Sequence, residues 1–278
     1  MSEKKRIDLE TAVPNKKKTK RHTPSQIQAD TLFTFTTRLE YLVNSIKTSM
    51  LAPRYCEENI KYLKIPKIKK VAYPMKCFCD INMHKLGIHL EWYGYYGLAF
   101  SKEWGMRNGI QPVQYINPDS KLREDFSIAF SAALSSNTKK ETRVQSKLKN
   151  FILHEMLYYK PYEGKIENRN TGKLVNKCFT DECEWRFIPE FNGLEFDLIY
   201  TDENMINAGI LNKMSDALAE IQSVTLKFDY KDLKYIIVKT LADFKILVDR
   251  ILLLNLSDLT TRELISKIII WDNSKGDF

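Results

Sequence analysis

Apolar, β-branched or aromatic runs of five to seven residues recur along this chain at uneven intervals, with helical stretches of unequal length between them. A doubly wound parallel sheet needs strand and helix to alternate at a steady spacing, and that rhythm is missing here. The pattern predicts an α+β fold: one domain of short mixed or antiparallel strands in a split sheet, with helices packed against it. The chain has 278 residues, of which 44% are hydrophobic, enough for one sizeable core over residues 26–278.

The individual runs fill in that frame. TLFTFT (31–36) reads as a strand, and Thr36 or Thr37 as the cap of a helix carrying Leu39, Leu42, Val43 and Ile46 at helical spacing. Met50–Tyr55 is extended because Ala52 precedes Pro53, and KIPKIKK (64–70) is an exposed connector. Met75–Ile81 has the length of a buried strand; a helix from Met83 to Tyr93 closes at Gly94, and YYGLAF (95–100) is the next strand. Ser101 caps a short helix that stops at Gly109, before the strand PVQYI (112–116). Residues 119–158 form two helices around a polar break, 162–177 a polar loop or hairpin, and CEWRFIP returns to β structure. SVTLKF (223–228), YIIVK, a helix over 241–254, the capped TTRELISK and IIIWD complete the chain.

Charge is unevenly spread. Lys and Arg total 43 and Asp and Glu 35, a net of +8. Residues 1–22 carry eight of the bases against Glu3, Asp8 and Glu10, so +5 sits in the tail and about +3 elsewhere. So polar a tail cannot bury enough surface to order itself, and residues 1–25 read as a disordered basic segment, either solubilising or an electrostatic arm for nucleic acid or an acidic partner. No apolar run of membrane-spanning length and no signal-peptide core is present, which predicts a cytoplasmic protein. The cysteines at 56, 77, 79, 178 and 183 have no C-x-x-C spacing and read as reduced thiols. Cys77 and Cys79 face one way on a strand, as small buried residues rather than metal ligands, and no metal is expected.

With no metal spacing, glycine-rich phosphate loop or serine elbow, the candidates for chemistry narrow to KCFTDECEWRF (177–187). On a strand Glu182 and Glu184 share a face while Trp185 turns to the core. Two adjacent carboxylates repel, so spacing alone favours a solvated face on which Arg186, Lys177 or another cation pairs with them. His89 and His154 lie on helical faces and read as packed or exposed residues.

PRYCEEN (53–59), PMKCFCDI (74–81), HLEWYGYYGLAFSKEWG (89–105), PVQYI and ECEWR together resemble the AbiGi family of bacterial abortive-infection proteins, and the same order of motifs is similar to a wider bacterial family of unknown function. TLFTFTTRLEYLVNSI also resembles, more faintly, the first block of ADP-ribosyltransferases; this chain has Thr34 where relatives carry His. That second resemblance implies an effector with NAD as substrate. Glu184 would hold the ribose 2′-hydroxyl as an oxocarbenium develops, and Glu182 would orient or deprotonate the acceptor. Thr34, Arg54, Tyr55, Tyr93 and Tyr95 would contact the cofactor; Tyr93, Tyr95 and Tyr96 would offer the nicotinamide an aromatic face or serve as core and rim tyrosines, and Arg54 would sit on the pyrophosphate or pair with Glu57 or Asp80. The AbiGi resemblance alone implies the alternative: a non-catalytic, antitoxin-like protein that neutralises a cognate, nucleotidyltransferase-like toxin; the helix LADFKILVDRILLL is apolar enough for such an interface and equally for a buried core helix.

Overall fold

The computed structural model describes residues 23–135, 142–167, 172–191, 197–201 and 204–276, so the basic tail lies almost wholly outside the described residues. Along the chain run β1 (Thr31–Thr36), α1 (Leu39–Thr48), β2 (Met50–Leu51), β3 (Arg54–Asn59) and the ten-residue β4 (Lys70–Cys79). Next come α2 (Leu86–Tyr93), β5 (Tyr96–Ser101), α3 (Lys102–Arg107), β6 (Gln111–Pro112) and β7 (Gln114–Ile116). The helices α4 (Lys121–Ser135) and α5 (Arg143–Leu157) lead into β8 (Tyr159–Pro161), the antiparallel pair β9 (Glu163–Glu167) and β10 (Leu174–Cys178), and β11 (Glu184–Phe187). α6 (Ala208–Ala219), β12 (Leu226–Lys227), β13 (Leu233–Val238), α7 (Leu241–Leu252), α8 (Asp258–Ser266), β14 (Ile268–Ile270) and α9 (Trp271–Ser274) follow.

The principal sheet orders its strands β14-β13-β5-β1-β4-β11-β6, with β3 added to β4, and three two-stranded ladders stand apart from it. Pairing is antiparallel except where β14 lies parallel to β13 and β7 parallel to β8. This is the single mixed α+β domain with split sheets that the strand pattern predicts.

Pleating divides the core. Leu32, Leu98, Phe100, Ile236 and Val238 meet Leu42 and Ile46 of α1, Trp104 of α3, Leu247 and Ile251 of α7 and Leu264 of α8. The intervening Phe33, Ala99 and Ile237 pack on Leu86 and Leu90 of α2 and Trp271 of α9. Strands buried on both faces explain why YGLAFS and YIIV read as continuous rather than alternating hydrophobic runs. A third cluster joins α4, α5 and α6 to β3 and the first half of β4.

The local signals mostly hold. Ser101 accepts from the Trp104 amide at the start of α3, and Gly94 ends α2 at φ 100°. Its place is set by contact as well as dihedral: a Cβ there would sit 2.2 Å from the Thr36 carbonyl oxygen. Two expectations are corrected. Thr36 remains in the ladder opposite Tyr96, so the residue preceding α1 is Arg38, which makes no side-chain cap. Of SVTLKF only Leu226–Lys227 is strand, paired with β2, because Gln222–Val224 turns as a 3₁₀ segment.

β4 positions the site. Its end pairs with β1 at Phe33↔Cys79 and with β11 over Cys79–Lys76, whereas Met75 to Lys70 pair with β3. Around this exchange of partners the wall opens.

Candidate functional site

A hollow of about 460 Å³ lies over β4, with Met75, Cys77 and Cys79 among its lining residues. Phe33 and Phe35 of β1, Cys56–Asn59 of β3, Tyr62 just after it, His89 and Tyr93 of α2, Lys160 of β8, the start of β9, and Phe179, Glu182 and Glu184 also line it.

The two acids arrive differently from the strand expectation. Phe179–Glu182 is a 3₁₀ turn, Cys183 takes a left-handed conformation at φ 41°, and the strand begins only at Glu184. A kink, not the pleat, therefore brings both carboxylates to one point. Nor is their face solvated: Glu182 is 4% and Glu184 6% exposed, beside Lys160 at 9% and Arg186 at 0%. The expected pairing is present, though buried. Lys160 Nζ donates to Oε2 of both glutamates. Lys177 Nζ lies 2.7 Å from Glu182 Oε1, which also accepts from the Tyr93 hydroxyl. Arg186 donates through Nε to Glu184 Oε1 at 2.7 Å, through Nη1 to the Leu157 carbonyl at 2.7 Å, and through Nη2 to Glu58 Oε1 at 3.3 Å. The Glu184 backbone amide donates to the Tyr115 hydroxyl at 2.9 Å.

Three carboxylates, Glu58, Glu182 and Glu184, thus face three cations, Lys160, Lys177 and Arg186, and the charges cancel. Burial by itself would push both inner carboxyls up, but Arg186 and Lys160 hold Glu184, and Lys160 and Lys177 hold Glu182, below the ordinary carboxylate range. Burial likewise works against charge on Lys160, and the two glutamates reverse it, so it stays protonated. Glu182, Glu184, Lys160 and Arg186 are thus held in their charged forms, and neither inner carboxylate is poised as a proton acceptor.

The remaining candidates separate. Tyr93 belongs to the hollow. Thr34 is buried opposite Leu98 on the α1–α7 face of β1, while its neighbours Phe33 and Phe35 line the hollow. Arg54 is exposed and bonds Asp216 and Asn212 of α6, not Glu57 or Asp80. Tyr55 packs on Phe191 and Tyr200, its hydroxyl on the Asp197 carbonyl. Tyr95 carries the Lys239 ammonium 4.7 Å from its ring centre, and Tyr96 bonds Asp243. Pleat direction separates Thr34 and Tyr55 from the hollow, and a surface ion pair holds Arg54 away from it.

Lys160 and Glu58 escaped the sequence reading, whereas His89, read there as a packed or exposed residue on a helical face, is packed and also lines the hollow. His89 leans on Tyr93, with ring centres 4.5 Å apart, and on Phe35 at 5.6 Å. Burial, helped by Lys177 and Lys160, lowers its pKa to about 4, so the ring is neutral. The available signal was its i, i+4 spacing to Tyr93 on α2. Burial pushes the Cys56 thiol up to about 11 and those of Cys77 and Cys79 well above the usual value, which leaves them protonated. Among the described residues no group of three or more His, Cys, Asp and Glu side chains is placed to hold a metal ion, and no helix is long and apolar enough to cross a membrane.

Comparison with known proteins adds a family. The model described as "Putative abortive phage resistance protein AbiGi, antitoxin" matches residues 48–239, a span that includes every charged member of the network. A protein of Lactococcus lactis subsp. cremoris, "Abortive phage resistance protein AbiGi", is 34% identical over 245 residues, covering 81% of this chain and 98% of that one. No solved structure matches.

Proposed function

The chain belongs to the AbiGi family of abortive phage resistance proteins, and from that premise we propose that it works by binding: an antitoxin-like protein that holds a cognate toxin in check within an anti-phage system. One observation carries this reading. Both inner carboxylates have their oxygens committed to Lys160, Lys177 and Arg186 inside the protein. A transferase acid must be free to grip a ribose hydroxyl as charge develops, whereas a fully paired buried network orders a core. The partner is then a protein, and Glu182 and Glu184 shape the scaffold that presents the binding surface.

The competing reading is transfer of ADP-ribose from NAD, with Glu184 on the sugar and Glu182 on the acceptor. The hollow beside these acids favours it, and the ion pairs oppose it, since substrate entry would have to draw Glu184 away from two cations.

Expression in a bacterial host separates the two. Alone, the chain should leave growth unchanged, and together with the product of its neighbouring toxin gene it should restore growth that the toxin alone arrests. Growth arrest by this chain alone, with transfer of label from NAD to host RNA or protein, would replace the binding reading by the catalytic one.

A further inference from the structure

Much of the hollow's wall is a strip of rings. Phe33 stacks on Phe35 at 6.0 Å and 4° between planes, Phe35 meets His89 at 5.6 Å, and His89 meets Tyr93 at 4.5 Å. A volume of about 460 Å³ is many times the roughly 30 Å³ share of one water, and water against aromatic faces finds few partners. Such space favours a flat molecule that displaces it.

The polar groups left open to that molecule are specific. The three cations Lys160, Lys177 and Arg186 are balanced by the three carboxylates Glu58, Glu182 and Glu184, so the deep end offers no net charge to a ligand ion. Among the described residues, the His89 imidazole and the Tyr62 hydroxyl, both lining the hollow, have no hydrogen-bond or ion-pair partner. Glu58 engages Arg186 through Oε1, and among the described residues its Oε2 makes no hydrogen bond. A neutral imidazole offers one donor and one acceptor, a phenol a donor, and a carboxylate oxygen an acceptor. Rings to stack on, edges mixing donors and acceptors, and cancelled charge describe one class of guest.

We propose that this hollow is a binding site for an uncharged nucleobase-type heterocycle, its plane against the Phe33–Phe35 rings and its polar edge on His89, Tyr62 and Glu58. The site stands apart from the binding of a partner protein, so its failure would leave the antitoxin-like reading untouched, and the reverse holds too.

The test is calorimetric titration and thermal melting of the full chain with adenosine, guanosine, cytidine and uridine, each up to millimolar concentration. At least one should bind with measurable heat and raise the melting temperature. Tyr62→Phe keeps the ring and removes only the hydroxyl, so it should melt like the parent protein yet bind that nucleoside about tenfold more weakly. His89→Leu should weaken binding at least as much. Absence of binding by all four nucleosides, or undiminished binding in both variants, would overturn the assignment.

Discussion

Replacing Lys160 by Met tests the charge network at its hub. The side chain keeps most of its length and loses its charge, while Glu182 and Glu184 remain buried with both Oε2 atoms deprived of their shared donor. The balance of three negative and three positive charges becomes three against two. Breaking a buried pair by removing one partner costs about 3–5 kcal/mol, because the stranded charge keeps its desolvation penalty. These side chains are 5–11% exposed, so solvent screening offers little relief. At roughly 2–4 °C per kcal/mol for a protein of this size, the melting temperature should fall by about 6–20 °C. Urea unfolding at pH 7 measures the loss directly. Adding Glu182→Gln to Lys160→Met returns the count to two against two, so the double variant should recover a large part of the loss. A loss under about 1 kcal/mol in the single variant, or a double variant whose losses simply add, would refute the claim that one ammonium neutralises two buried carboxylates.

Four further expectations follow from particular contacts. Glu182 and Glu184 have lowered carboxyl pKa values in the folded protein, so the stability they supply is present above the unfolded carboxylate pKa and lost as pH falls through the folded values; acid titration by circular dichroism should show it. His89 falls from 6.5 to about 4 on folding, so the unfolded chain binds more protons between those values and stability drops by roughly 3 kcal/mol as pH falls across that window; the drop should disappear in His89→Phe. Gly94→Ala must place a methyl 2.2 Å from the Thr36 carbonyl oxygen at φ 100°, and should cost more than about 3 kcal/mol in urea unfolding. Arg54→Ala removes only an exposed contact to α6 and should change stability by less than about 1 kcal/mol.

Much of the fold was legible because its signals are local. Gly94 and Ser101 act at the ends of their helices, and apolar runs mark β1, β4, β5 and β13 wherever those strands finally pair. What the sequence withheld was long-range. Lys160 sits in YYKPYE, where a lysine among polar and aromatic residues reads as exposed, and only the parallel pairing of β8 with β7 brings it beneath residues 182 and 184. Cys183 carries a backbone turn that its residue type does not announce, so a kinked segment read as continuous strand. Thr34 lies on a strand and Tyr55 in extended chain, as expected, but pleat direction turns them away from the hollow. Of the residues assigned to chemistry, Glu182, Glu184 and Tyr93 meet in space; His89 joins them from a helix face that suggested ordinary packing.

The cancelled charges also bear on kinetics. A deep end without net field neither draws guests in nor repels them, so capture proceeds by unassisted diffusion, and added salt should leave the association rate nearly unchanged. Discrimination would then rest on how long a guest stays rather than on how fast it arrives.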